Sequence, residues 1–266
     1  MTLADDPMLP DFQVSGHSDK TIFLLHGLFG SKEYWRFHTA RLLAQGYRVV
    51  AWDAPGYGLS SLRSTTSLSA MAAVQAALIR ATGTRINIVH GHSMGGQLTP
   101  KVCSLVPELV SAAVIVATIG YFGNRTPEEQ AAFLRERASA AGSGAGKSSG
   151  QVVQDLFGPG ASGEEVALVR DVGGRTSPAT VKAYLEAIRT YPEAEAVHAL
   201  RSLQVPTLLV AGGVDKTGDP AGMKRLQALL PRSEFAVVEG SGHYPWAEKP
   251  DEFNRHLSGF LQRHLG

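Results

Sequence analysis

An α/β fold built on a mostly parallel sheet is predicted by two features of the chain: short, β-branched apolar runs recur along it, and helical patterns separate them. The runs are TIFLL at Thr21 to Leu25, RVVAW at Arg48 to Trp52, INIVH at Ile86 to His90 and AAVIVA at Ala112 to Ala117. Each reads as a strand buried on both faces, as in a sheet with helices on either side. Between them lie SKEYWRFHTARLLAQG and TSLSAMAAVQAALIRATG, whose final glycines, Gly46 and Gly83, read as helix C-caps. Repetition of strand, helix, strand requires right-handed crossovers.

The alternation breaks off after the fourth run. From about Tyr121 to Leu203 only helical patterns occur: PEEQAAFLRERASAA, QVVQDLF, SGEEVALVRDV and SPATVKAYLEAIRTY, the last opened by Ser177 as N-cap and Pro178 in the first turn. Sheet pattern then resumes with TLLVAG, a helix around Asp219 to Leu230, the strand EFAVVE and a final helix from about Pro250 to His264. The expected organisation is a core of residues 1–120 and 204–266, with 121–203 inserted in the same domain as a helical cap. At 266 residues and 44% hydrophobic, the chain can bury a core of that size.

Composition narrows the partners. Twenty-five basic residues against 24 acidic ones give a formal charge of +1, so no basic footprint for nucleic acid exists, and a small-molecule substrate is expected. The opening MTLADDPMLPDFQ has no basic segment followed by an apolar run, and nothing elsewhere approaches the ~18 apolar residues of a membrane span, so a cytoplasmic protein without membrane contact is expected. The lone Cys103 fits a reducing compartment. Monomer and homodimer stay equally open.

One motif invites misreading. AGSGAGKSSG, residues 141–150, ends in the G-K-S of a phosphate-binding loop. Such a loop joins a buried strand to a helix, because backbone N–H groups and the helix dipole must converge on phosphate. Here a helical pattern precedes it, so a flexible linker within the cap, acting as a hinge or lid, is expected instead.

GHSMGG, Gly91 to Gly96, has the right context for chemistry: it follows the strand INIVH and precedes the helix QLTPKVCSLV. A nucleophile on so sharp a turn requires small residues two positions before and after it, and Gly91 and Gly95 supply them. Ser93 is the candidate nucleophile, and the Met94 N–H at the helix start is a candidate oxyanion donor. A serine needs a base, and the base an orienting carboxylate. GSGHYPW places His243 beyond the strand EFAVVE, and GGVDKTGD places Asp215 beyond TLLVAG. Loops at the carboxyl ends of parallel strands share one face, so the three can meet. Asp219, before Pro220, reads as a helix N-cap, Glu239 is still within its strand, and Asp53 reads as shaping the loop APGYG. HGLFG, His26 to Gly30, offers the Leu28 N–H as second oxyanion donor, with His26 fixing that loop. Phe29, His92, Tyr121, Phe122, Tyr244 and Trp246 are candidate substrate contacts, and Arg125, Arg170 and Arg175 in the cap are candidates for a substrate carboxylate.

With HGLFG, DAPGYGLS, GHSMGG, GGVDKTGD and GSGHYPWAEKPDEF in order, the chain resembles the α/β-hydrolase fold superfamily, in its group of small bacterial serine hydrolases with a helical cap. The resemblance implies a cap inserted after the sixth family strand and a Ser93–His243–Asp215 triad that forms an acyl-enzyme without cofactor or metal. Family members usually begin with an antiparallel hairpin, of which FQVSG is the expected remnant. A small carboxylic ester or lactone is the expected substrate. Two alternatives remain: a carbon–carbon hydrolase of ring-cleavage dienones or β-diketone-like products, and a non-catalytic ligand-binding member of the fold. Haloalkane dehalogenases and epoxide hydrolases carry aspartate at the elbow, where this chain has Ser93. Dienone hydrolases often have asparagine before the nucleophile and tryptophan after the histidine, where this chain has His92 and Tyr244.

Overall fold

The computed structural model describes residues 9–63, 66–142 and 146–266. The first residues of the opening segment, 1–8, and the centre of the linker read as a hinge, 143–145, lie outside them. Among the described residues seven strands form one sheet: β1 (Phe12–Ser15), β2 (Lys20–Leu25), β3 (Arg48–Trp52), β4 (Ile86–His92), β5 (Ala112–Val116), β6 (Thr207–Gly212) and β7 (Ser233–Val238), in the order β1-β3-β2-β4-β5-β6-β7. All neighbours run parallel except β1, which pairs antiparallel with β3 from Phe12 opposite Trp52 to Ser15 opposite Val49. FQVS is thus a single antiparallel edge strand, half exposed as an edge should be. β5 and β6 are buried at every position, as predicted for strands covered on both faces.

Helices α1 (Arg36–Ala44), α2 (Leu68–Thr82) and α3 (Met94–Leu105) alternate with β2 to β5, and a 3-10 turn, Lys32–Trp35, leads into α1. Gly46 ends the α1 segment in the left-handed region, at φ +82°, as predicted. Gly83 ends α2 differently: its backbone is extended, at φ −63° and ψ 157°. A glycine is needed there because a Cβ would lie 2.6 Å from the Ile79 carbonyl oxygen, so close approach takes the place of a left-handed cap.

Between β5 and β6 come α4 (Pro127–Ala138), α5 (Ser149–Leu156), α6 (Glu164–Gly174), α7 (Pro178–Arg189) and α8 (Glu193–Arg201). Their starts are written in the sequence. Thr126 with Glu129 and Ser148 with Gln151 form capping boxes, and Ser177 accepts the Thr180 N–H. Ser148 of the G-K-S is therefore a helix cap, and the Lys147 ammonium is ion-paired with Asp155 on the surface. After β6, α9 (Pro220–Gln227) is capped by Asp219, whose carboxylate accepts the Gly222 N–H at 2.8 Å. A short α10 (Pro245–Glu248) and α11 (Pro250–Leu265) end the chain. Among the described residues no helix is long and apolar enough to cross a membrane, and no group of His, Cys, Asp and Glu is arranged to hold a metal ion.

Candidate active site

β4 ends in a turn that only its glycines allow. Ser93 stands at φ 54°, ψ −113°, left-handed backbone that costs a non-glycine residue about 1–3 kcal/mol. A methyl on Gly91 would strike the Gly95 carbonyl and the Thr99 hydroxyl, and one on Gly95 would strike the Leu25 carbonyl. The strained turn is held from β5 and the loop beyond it: the Ser93 N–H donates to the Val116 carbonyl at 2.8 Å, and the Thr118 hydroxyl donates to the Ser93 carbonyl at 2.7 Å. Ser93 Oγ is thereby presented at the carboxyl edge of the sheet, at the start of α3.

Loops after β6 and β7 bring the other two groups to it. His243 Nε2 lies 3.0 Å from Ser93 Oγ, and His243 Nδ1 lies 2.8 Å from Asp215 Oδ2. A carboxylate can only accept, so Nδ1 carries the imidazole proton and Nε2 is left to accept the serine hydroxyl proton. Asp215 is fixed in turn by N–H groups of its own loop, Thr217 to Oδ1 at 2.7 Å and Gly218 to Oδ2 at 3.1 Å. The three side chains picked from the sequence therefore form one directed chain of hydrogen bonds.

Leu28 and Met94 both line the cavity that Ser93 lines, and neither backbone N–H donates a hydrogen bond among the described residues. His26 stabilises the loop carrying Leu28 as expected. The Ala54 N–H donates to His26 Nε2 at 3.0 Å, which leaves Nδ1 to donate to the Gly27 carbonyl at 2.8 Å. Burial lowers the His26 pKa and favours this neutral form. Asp53 shapes its loop: it accepts the Lys32 and Leu59 N–H groups at 2.8 and 3.1 Å and pairs with the Lys32 ammonium.

Sequence reasoning missed Tyr34, whose hydroxyl joins the two sides of the site. The Gly27 N–H donates to Tyr34 Oη at 2.8 Å, and Oη lies 3.0 Å from His92 Nδ1. His92 Nε2 lies 2.9 Å from the carbonyl of His243. The carbonyl must accept, so Nε2–H donates to it and the Tyr34 hydroxyl donates to Nδ1. Burial depresses the His92 pKa well below the ordinary value and raises that of Tyr34 well above its own, so both groups stay neutral. This chain runs from the residue before Leu28, past the residue before Ser93, to the backbone of His243. No local motif announces it, because Tyr34 lies on a helical turn seven residues beyond Gly27.

The cavity over Ser93 is lined from the core by Leu28, Phe29, His92, Met94, Gln97 and Tyr244, and from the inserted helices by Phe133, Arg137, Leu156 and Ile188. It is tight: about 20 Å³ is open to the centre of a water-sized sphere, room for roughly one water. Phe29, His92 and Tyr244 are where the sequence suggested. Tyr121, Phe122 and Trp246 do not line it. Tyr121 precedes a 3-10 turn at a half-buried position, Phe122 packs edge-on against Phe133 at 6.0 Å, and Trp246 is buried between Trp35 and His92 at 4.5 and 4.3 Å. Proximity to a motif did not determine which way these rings point.

The three arginines suggested for a carboxylate are also engaged elsewhere. Arg125 donates to the Thr217 and Lys216 carbonyls, Arg170 lies over Phe157, and Arg175 pairs with Glu33 and Asp171. No residue of 141–150 among those described lines the cavity. The insertion is fastened to the site at another point. Glu248 accepts the N–H groups of Gly158, Gly242 and Tyr244 at 2.7, 2.9 and 3.0 Å, and the His243 N–H donates to the Leu156 carbonyl at 2.8 Å.

Fold and site together define a class, that of hydrolytic enzymes built on a mostly parallel sheet with a serine at the end of its central strand. The model of the alpha/beta hydrolase family matches residues 22–256, and the chain belongs to that family. It is 28% identical over 255 residues to an sn-1-specific diacylglycerol lipase of Mus musculus, covering 90% of this chain and 80% of the relative. It is 25% identical to a pimeloyl-acyl-carrier-protein methyl ester esterase of Xanthomonas campestris, covering 93% and 97% of the two chains. Some matched relatives are longer proteins of which the chain spans 11% to 66%. Among solved structures, a thermophilic esterase from Thermogutta terrifontis superposes with a TM-score of 0.81 over 96% of this chain and 93% of the other, at 22% identity.

Proposed function

We propose that this α/β hydrolase cleaves a small carboxylic ester or lactone through an acyl-enzyme on Ser93. The observation that carries the reading is the continuous line Ser93 Oγ, His243 Nε2, His243 Nδ1, Asp215 Oδ2 at 3.0 and 2.8 Å. Ser93 Oγ attacks the carbonyl carbon while His243 Nε2 takes its proton. The Leu28 and Met94 N–H groups stabilise the tetrahedral oxyanion. His243 then returns the proton to the leaving alkoxide, the C–O bond breaks, and a water activated by the same nitrogen releases the acyl group. Asp215 holds the tautomer and stabilises the imidazolium formed in each half.

Residues 121–203 act as a cap on this core. With room for about one water in the cavity, substrate entry requires the inserted helices to part from the sheet edge, after which closure excludes bulk water. Relatives named for a lipase and a methyl ester esterase support oxygen-ester chemistry. A fluorophosphonate probe tests the reading: it is expected to label the protein once, and Ser93→Ala to abolish labelling. p-Nitrophenyl esters of graded chain length, set against simple lactones, then rank the acyl group. A protein that neither labels nor turns over any of these would overturn the proposal.

A further inference from the structure

Arg137 is the least expected residue of the cavity. It stands in the last turn of α4, its residue only 3% exposed, and it lines the same cavity as Ser93. Burying a guanidinium is costly unless it is paired and hydrogen-bonded. The pairing here is incomplete. Nη1 donates to the Phe133 carbonyl and to Glu136 Oε2, both at 3.2 Å, and Nη2 donates to Thr217 Oγ1 at 2.9 Å. Glu136 is 65% exposed, so water screens the one carboxylate bonded to this cation. Among the described residues Nε–H and the second Nη2–H have no partner, and two donors are what a carboxylate takes from one guanidinium in a bidentate pair. Burial pulls the Arg137 pKa down to about 10, which leaves it charged but electrostatically unsatisfied. Its flat side is occupied: the guanidinium carbon lies 3.9 Å from the Phe133 ring centroid, which fixes the plane of the fork.

An independent group points the same way. Gln97 of α3 is 4% exposed, lines the cavity and has its Nε2 buried without a partner among the described residues. Asp215 contributes negative field but has its own commitments to His243 and to its loop. Arg125, within 5.7 Å of the same Phe133 ring, adds a second positive charge. Arg137 and Gln97, each with an unpartnered donor, thus line the same small cavity as the candidate nucleophile, and Arg125 adds positive field from outside its lining.

We infer that Arg137, helped by the Gln97 amide, anchors a carboxylate on the substrate, so that the ester or lactone cleaved at Ser93 belongs to an acid carrying a second, free carboxylate. This rests on the hydrolase reading above. It specifies the acyl part as a short dicarboxylate half-ester or an acid-bearing lactone. A guanidinium fork whose plane is fixed against Phe133 matches the two coplanar oxygens of a carboxylate better than the tetrahedral oxygens of phosphate.

The test compares kcat/KM for monomethyl glutarate with that for methyl pentanoate, in the full chain and in Arg137→Gln. The wild type is expected to prefer the anionic ester, and the variant to lower the ratio about thirtyfold or more, mostly through KM, with Arg137→Lys recovering part of it. A structural brace acting through Thr217 onto Asp215 would lower both substrates together, and Thr217→Val would then reproduce Arg137→Gln; that pattern, or a wild type without preference, overturns the inference. Calorimetry with glutarate on the Ser93→Ala protein reads the anion site without turnover. Binding lost on adding Arg137→Gln supports the inference even if the hydrolase reading fails, and stronger binding of inorganic phosphate than of glutarate overturns the carboxylate assignment.

Discussion

Buried histidines occur in two regions of this molecule, and they are treated in opposite ways. At the carboxyl edge of the sheet His26, His92 and His243 have a partner at every ring nitrogen. Lower in the core His38 and His90 lie with ring centroids 5.2 Å apart, packed against Trp35 and Phe253, and none of their four ring nitrogens has a partner among the described residues. The first group uses imidazole as a two-ended connector whose tautomer is set by its neighbours. The second uses it as a small aromatic ring and bears the desolvation cost. Burial alone therefore does not mark a histidine as functional; the direction of its hydrogen bonds does.

The sharpest way to break that contrast is at the far end of the connected set. Ser93→Ala is expected to cost on the order of 10⁴-fold in turnover, with an unchanged thermal transition; steady-state kinetics beside circular dichroism checks both. The unconnected pair governs acid stability. Burial holds the His90 pKa at about 3 and His38 well below the ordinary 6.5. An unfolded chain takes up these protons below pH ~6.5 while the folded one does not, so stability falls as pH drops from about 6.5 towards 3. For His90 alone the loss is on the order of 4 kcal/mol across that window. Urea titrations at pH 7 and pH 4.5 should show it, and His90→Phe should flatten the dependence.

Intermediate effects sharpen the role of the connectors. Glu248→Ala leaves three N–H groups without their acceptor and is expected to destabilise the protein by about 2 kcal/mol, measured as a shifted urea midpoint. Tyr34→Phe removes one hydroxyl between Gly27 and His92. It should lower kcat about tenfold through looser placement of the loop that carries Leu28, the proposed oxyanion donor, with KM little changed. A KM effect alone would show that Tyr34 positions nothing.

What was legible in the sequence follows from range. Strands, caps and the Ser93 turn are specified within a few residues, by β-branched runs, by Ser or Thr three positions before Glu or Gln, and by Gly91 and Gly95 around Ser93. Asp215 and His243 were legible because sheet topology brings loops after parallel strands to one face. Tyr34, Gln97 and Arg137 were not. Tyr34 projects from the 3-10 turn before α1, Gln97 from α3 and Arg137 from α4, and which side of each element faces the site depends on how these elements pack. The same limit put forward Tyr121, Phe122, Trp246, Arg125, Arg170 and Arg175, which do not line the cavity, and passed over Arg137, which does. Gly83 shows a smaller version: the residue was correct and the reason was not, since an approaching carbonyl rather than a left-handed turn requires it.

The hydrogen-bond path through His92 has a directional polarity. It enters the ring from Tyr34 at an acceptor and leaves towards His243 as a donor, so position 92 needs one of each, facing apart, and no net charge. That defines which replacements preserve the geometry. Asparagine has both functions on one short amide; leucine has neither, and lysine can only donate. Saturation mutagenesis at this position should therefore sort survivors by the grammar of donor and acceptor, with size and hydrophobicity counting second.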